Sequence, residues 1–303
     1  MPRSPGFPIS VLIASLGAVL SACGGNGAPS GDIDYGSGHA LPRLLSETGY
    51  VTPGEPFTVG VTFDIEPEWH LYWNGLNDTG YPVQVEPVLP EGFRADTLQW
   101  PAPERRISPG NILDHVYAGR VTLLLPLHPP ADLKSGSDVT VSCRLDWLAC
   151  REACVPGNGL VSITLPVIGT GESDVEAAER RAAAAAVGEA VHERFRETRE
   201  RLPAPAPSPP PGVRWRWEDG ALVVEADGAR RLAFYPTPDS TPLPGLLQEG
   251  ASETGTLILH PGENPGTTGA LCGVLEVNPG PPGPSAFYSL SVPLTESQRR
   301  QTP

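Results

Sequence analysis

The chain has a single methionine, Met1, among 303 residues, which argues against a methionine-rich copper site. Basic side chains are also scarce: 21 Lys and Arg stand against 35 Asp and Glu, a net charge of -14. Such a surface repels phosphate backbones and anionic headgroups, so nucleic acid is excluded as a partner. Long apolar runs are missing too. The longest, residues 9–20, falls short of the roughly 20 residues that a membrane-spanning helix needs.

That short run has a meaning of its own. It follows a polar start carrying Arg3 and ends in small residues, as a secretory signal peptide does. The sequence Leu20-Ser21-Ala22-Cys23-Gly24 resembles the lipobox of bacterial lipoproteins, whose cysteine is acylated and begins the mature chain. Residues 1–22 are therefore expected to be a lipoprotein signal peptide and Cys23 the lipidation site. Acyl chains would hold the protein to a membrane face without a spanning helix. The alternative is an ordinary signal peptide with an incidental cysteine. Gly24 stands where an aspartate is associated with inner-membrane retention, so a periplasm-facing, lipid-anchored location is expected, with the outer membrane favoured.

What is abundant is proline and glycine, 37 and 34 residues, suited to short strands joined by turns and to linkers. Residues 23–40 have little to bury and read as a flexible tether. Strand-sized segments with period-two alternation follow at 57–63, 70–73, 81–85, 121–125, 139–147 and 160–167. Their spacing predicts a β-sandwich over residues 41–170. Ser173-Asp174-Val175-Glu176 is a capping box before an alanine-rich stretch. Val187, Val191 and Phe195 form one apolar stripe there, and Pro203 ends the predicted helix. Residues 203–212 are a proline-rich spacer. Further strand patterns at 213–217, 221–225, 232–235, 256–259 and 286–292 predict a second, smaller sandwich over 213–295, and residues 296–303 a disordered tail. The fold class is thus all-β: two immunoglobulin-like β-sandwich domains joined by a connecting helix and a Pro-rich linker.

Four cysteines remain after Cys23, in a compartment where thiols pair. Spacing favours Cys150 with Cys154, bridged across one helical turn or a tight turn. A ring so small is a poor staple, because it constrains the unfolded chain only modestly. Cys143 alternates with Val141, Leu145 and Trp147 and is expected in the core, as is Cys272. A Cys143–Cys272 bridge is the alternative. The pair itself is open to three readings: a redox couple, a passive local disulfide, or soft metal ligands with His70 or His115.

Several segments carry a resemblance. They are Trp69-His70-Leu71-Tyr72-Trp73, Asn77-Asp78-Thr79-Gly80-Tyr81-Pro82, Leu89-Pro90-Glu91-Gly92-Phe93, Gln99-Trp100-Pro101-Ala102-Pro103-Glu104-Arg105 and Val116-Tyr117-Ala118-Gly119. The last is Asp146-Trp147-Leu148-Ala149-Cys150-Arg151-Glu152-Ala153-Cys154-Val155-Pro156. In this order they resemble the N-terminal periplasmic domain of the DsbD thiol:disulfide interchange family, especially its branch related to suppressor-of-copper-sensitivity proteins. Phe234-Tyr235-Pro236 and Gly273-Val274-Leu275 extend the likeness more weakly.

The resemblance implies a thiol:disulfide oxidoreductase module that needs no cofactor and no metal. Electrons would come from a membrane-embedded donor and pass to a periplasmic thioredoxin-like protein. Cys154 would attack the partner and Cys150 resolve the mixed disulfide. A cap loop would shield the pair at Glu104, Arg105, Arg106, Ile107 and Ser108, although these residues lack the aromatic cap expected. The sequence holds no multi-span membrane domain, so the donor is expected to be a separate protein. A non-redox adaptor with a structural disulfide and a copper- or metal-handling lipoprotein are the competing expectations.

Overall fold

The computed structural model describes residues 39–169, 188–205, 209–264 and 266–295, with isolated positions 175, 178, 179 and 182. The segments expected as signal peptide and tether up to residue 38, the expected capping box at Ser173 and the expected tail from residue 296 lie outside these residues. Among the described residues no helix is long and apolar enough to cross a membrane.

Ten strands build the first sandwich: β1 (Ala40–Ser46), β2 (Phe57–Ile65), β3 (His70–Tyr72), β4 (Gln84–Val88), β5 (Arg94–Ala95), β6 (Glu104–Ser108), β7 (Ile112–Ala118), β8 (Arg120–His128), β9 (Asp138–Cys150) and β10 (Cys154–Pro166). One sheet has the order β1-β2-β8-β5. The other runs β10-β9-β3-β7-β6, with β4 also paired to β9. Alternation along β9 sends Val139, Val141, Cys143, Leu145, Trp147 and Ala149 into the core, where they meet Val59, Val61, Phe63, Leu123 and Leu125 of the other sheet. Trp147 is fully buried and meets Phe63 edge-on, with ring centroids 5.4 Å apart. Its strand partner is Gly157, where a Cβ would stand 2.3 Å from the indole, so only glycine lets the ring lie flat across the hairpin.

The described helix, Glu189–Glu200, starts after Gly188 and docks on β8. Phe195 is its anchor, fully buried over Gly60, where a Cβ would approach the ring to 3.1 Å. Arg199 pairs with Glu47 of the sandwich, and Arg201 exchanges hydrogen bonds with Ala102 at 2.8 Å in both directions. The Trp-Pro-x-Pro-Glu stretch is therefore the seat that receives the helix end.

Eight strands form the second sandwich: β11 (Ala204–Pro205), β12 (Val213–Glu218), β13 (Ala221–Ala226), β14 (Arg231–Pro236), β15 (Ala251–Ser252), β16 (Thr256–Leu259), β17 (Ala270–Asn278) and β18 (Ala286–Pro293). Their sheets have the orders β11-β18-β17-β14-β15 and β12-β13-β16. Here the linker expectation is corrected. Ala204 and Pro205 pair in parallel with Tyr288 and Ser289, so the proline-rich segment begins as an edge strand, a position proline tolerates.

Strand β14 is buried on both faces, which explains its unbroken apolar run. Leu232 and Phe234 enter the second core. Ala233 and Tyr235, with Val274 and Phe287, instead join the core of the first sandwich. The two sandwiches thus share packed side chains. Arg105 reinforces the junction by donating to the carbonyls of Leu246 and Leu247 at 2.8 and 3.2 Å, at the short helix Leu246–Glu249.

Truncating the helix anchor by Phe195→Ala should cost about 3–5 kcal/mol of stability. Equilibrium urea unfolding checks this, with a lowered midpoint as the expected outcome.

Candidate functional site

The cysteine pair closes a β-hairpin, not a helical turn. Residues 151–153 make the turn, with Arg151 N–H donating to the Ala153 carbonyl at 3.2 Å. Cys150 and Cys154 are the first facing pair of β9 and β10, with Cα atoms 4.1 Å apart, and their sulfurs are bonded. Because the period is two, Cys150 points to the face opposite Ala149 and the core. It is 3 % exposed, beneath Tyr72, Val116 and Leu148, whereas Cys154 is exposed at the rim. One sulfur is shielded and its partner presented.

The outer face of the same sheet supplies the surroundings. His70 and Tyr72 of β3, Asp114 of β7 and Arg106 and Ser108 of β6 share a cleft of about 910 Å³ with both cysteines. His70 is directly opposite Cys150 in the β3–β9 register. The Tyr72 hydroxyl stands 3.9 Å from Cys154 Sγ and 3.1 Å from Thr79 Oγ1. Thr79 in turn gives its hydroxyl proton to Asp114 Oδ2 at 2.7 Å, and its N–H donates to Oδ1 at 2.9 Å. With Thr79's hydrogen committed to the carboxylate, Tyr72 donates to Thr79 and turns oxygen lone pairs toward the sulfur. A reduced Cys154 can donate S–H to that oxygen.

Burial sets the charge of several of these groups. It raises the Tyr72 phenol, keeping it neutral. It lowers His70 to about 4, with the Arg106 guanidinium as the second cause, so the imidazole is neutral at pH 7. The turn is braced from outside: Arg151 lies over the Trp69 ring at 5.5 Å and pairs with Glu68 at 3.4 Å, and Trp69 is stacked by His39.

His115 is not part of this arrangement. It projects from the opposite face of β7, donates Nδ1–H to the Leu76 carbonyl at 2.6 Å, and packs edge-on against Tyr235. Burial lowers it also to about 4. Of the two candidate histidines only His70 shares the cleft with the pair, and no cluster of three or more metal-ligating side chains occurs among the described residues. Cys143 and Cys272 are free, buried thiols, Cys143 in the first core and Cys272 on β17 beside Ser291, so no bridge joins them. Burial pushes the Cys143 thiol up to about 11.

The segment expected as a cap loop is strand β6, paired to β7 along its whole length. Alternation splits its residues: Arg106 and Ser108 face the cleft, while Arg105 reaches the second sandwich. Sequence reading missed Thr79 and Asp114 as site residues. Thr79 lay within the quoted Asn77-Asp78-Thr79 stretch, whose side chains clamp the loop after β3. Asn77 accepts from His115 N–H at 2.8 Å and Asp78 from Leu113 N–H at 2.7 Å. Asp114 carried one signal, an acid inside a strand of otherwise uncharged, mostly apolar residues.

Fold and site together define a class: a β-sandwich presenting one sulfur of a hairpin disulfide at an open cleft. Residues 42–166, nearly the whole of the first sandwich, match the family model described as thiol:disulfide interchange protein DsbD, N-terminal. The N-terminal periplasmic domain of ScsB from Proteus mirabilis shares the fold across both sandwiches. The match has 14% identity and a TM-score of 0.51, covering 89% of this chain and 97% of that one. A protein of unknown function from Porphyromonas gingivalis W83 aligns with 13% identity over 85% of this chain and all of its own, at a TM-score of 0.23. No curated protein sequence matches the chain.

His70 and His115 have folded-state values below that of a free imidazole, so the unfolded chain binds more protons between about pH 4 and 6.5. Stability should therefore be full above that window and fall on acidification through it. Urea midpoints measured from pH 7.5 to 4 check the sign, and a flat profile would contradict it.

Proposed function

We propose that this protein is a periplasm-facing thiol:disulfide exchange module that passes electrons between a separate membrane donor and a thioredoxin-like protein through Cys150 and Cys154. The observation that carries this reading is the asymmetry of the pair, Cys154 exposed and Cys150 covered. A nucleophilic sulfur must reach a partner's disulfide in line, whereas the resolving sulfur needs only to reach its neighbour. The match of residues 42–166 to the DsbD N-terminal family supports the same assignment.

In the reduced protein the Cys154 thiolate attacks one sulfur of the partner disulfide, and the other partner sulfur leaves as a thiolate. Cys150, giving up its proton, then attacks Cys154 Sγ and breaks the mixed disulfide. Two electrons move to the partner, whose two thiols take up the protons, and the hairpin disulfide reforms. No cofactor enters. β6, with Arg106 and Ser108 at the cleft, serves as the wall over which the partner approaches. Cys23 carries the lipid that keeps the module at the outer membrane face.

Cys150→Ala should accumulate mixed disulfides through Cys154 with a periplasmic thioredoxin-like protein, whereas Cys154→Ala should accumulate none. Non-reducing gels with peptide mapping check this. A reduction potential of the pair below about -300 mV would mark a structural bond and sink the exchange reading. Replacing Cys23 by serine should release the protein from the membrane fraction, as read by fractionation.

A further inference from the structure

The cleft contains a guanidinium that no carboxylate pairs with directly. The Arg106 side chain makes no hydrogen bond or ion pair among the described residues, and its Nε is buried without a partner. The acids that share the cleft are engaged or remote. Asp114, opposite Arg106 in the β6–β7 register, has both oxygens taken by Thr79. Glu68 pairs with Arg151, and Glu152 is exposed on the hairpin turn. His70 is neutral. The guanidinium nonetheless acts on the groups around the sulfurs, opposing a proton on His70 and favouring an anion at Tyr72, whose hydroxyl is the one 3.9 Å from Cys154.

Arg106 is also held in place. Its neighbour Arg105 is bonded to the Leu246 and Leu247 carbonyls, so the second sandwich fixes the strand that points Arg106 into the cleft. A guanidinium kept half-buried without a direct ion pair is costly in a protein of net charge -14, where carboxylates are plentiful. The oxidised pair offers it no anion, since disulfide sulfurs are neutral. Opening the disulfide creates one in the same cleft.

We propose that Arg106 is the counter-ion of the Cys154 thiolate, formed when the pair is reduced, and that it makes Cys154 the attacking sulfur at neutral pH. This rests on the exchange reading of the pair and adds the group that charges it. Stabilising the thiolate raises the fraction of attacking sulfur before exchange, whereas in the resolving step the partner's sulfur is the one that leaves. Arg106 takes part in neither bond. The electrons and protons move as in the exchange above.

The test is the pH dependence of iodoacetamide alkylation at Cys154 in the fully reduced protein, followed on its own peptide by mass spectrometry. A cation in the same cleft favours the charged form of a thiol. Arg106→Gln should accordingly raise the midpoint and slow alkylation at pH 7 by up to about tenfold, while Arg106→Lys should retain most of the wild-type rate. Glu152→Gln, a substitution on the exposed turn, should shift the midpoint the other way. An unchanged midpoint in Arg106→Gln, at an unchanged urea midpoint, overturns the inference. So does an unchanged profile accompanied by weaker mixed-disulfide trapping, which would make Arg106 a dock for a partner's carboxylate. Alkylation needs no partner, so a failed trap with a shifted profile sinks the exchange reading and leaves the counter-ion in place.

Discussion

Thirteen consecutive residue pairs lock β9 to β10, and the rest of the molecule depends on that register. It sets Cys150 against Cys154 at the hairpin end and Trp147 against Gly157 further along. A slip of one residue would send Val141, Leu145 and Trp147 to solvent and Cys150 into the core, because alternate side chains change faces. The apolar side of β9 prevents the slip. Burial of the sandwich core therefore fixes which face carries the sulfur chemistry.

The two faces of one sheet have separate tasks. Inward, Leu71, Tyr117, Cys143 and Trp147 fill the core, and the Cys143 thiol is kept protonated by its burial. Outward, His70, Tyr72, Asp114, Arg106 and the cysteine pair make a polar cleft. The polar groups under it are largely satisfied: Asp114 holds Thr79, Thr79 receives Tyr72, and Tyr72 faces Cys154. A buried carboxylate with its oxygens engaged fixes the phenol beside the sulfur, so the exposed cysteine has an ordered neighbour on one side and open solvent on the other.

The second sandwich reaches the cleft through backbone geometry. β14 buries one face in each domain, and Tyr235 extends from it to Trp73 and His115 behind the site. The Tyr235 hydroxyl is secured by Glu276 at 2.6 Å, itself paired with Arg231 at 2.9 Å, so the junction is closed by a buried polar network as well as by packing. Arg105 fastens the edge strand of the first domain to the second. The edge of the sheet opposite the disulfide hairpin is thereby tied to the second sandwich.

Period-two alternation, turn residues and the Cys-x₃-Cys spacing sufficed to indicate two sandwiches and the sulfur pair, because those signals are local. So were the inward direction of Cys143 and the role of Phe195, each readable from its own strand or helix period. Local signals could not tell a helical turn from a hairpin at residues 150–154, since both bring positions i and i+4 together. Nor could they show that residues 104–108 form a strand with two opposite duties, or that Ala204 and Pro205 join a sheet through residues more than 80 positions away. Asp114 and Thr79 meet across 35 positions, and Arg106 comes to the cysteines only through the order β9-β3-β7-β6. The sequence by itself determined which side chains alternate, and so which could share a face. Tertiary structure decided which strands lie side by side, and hence the charges and hydrogen bonds around Cys154, because strand order is set by long-range burial that no local window contains.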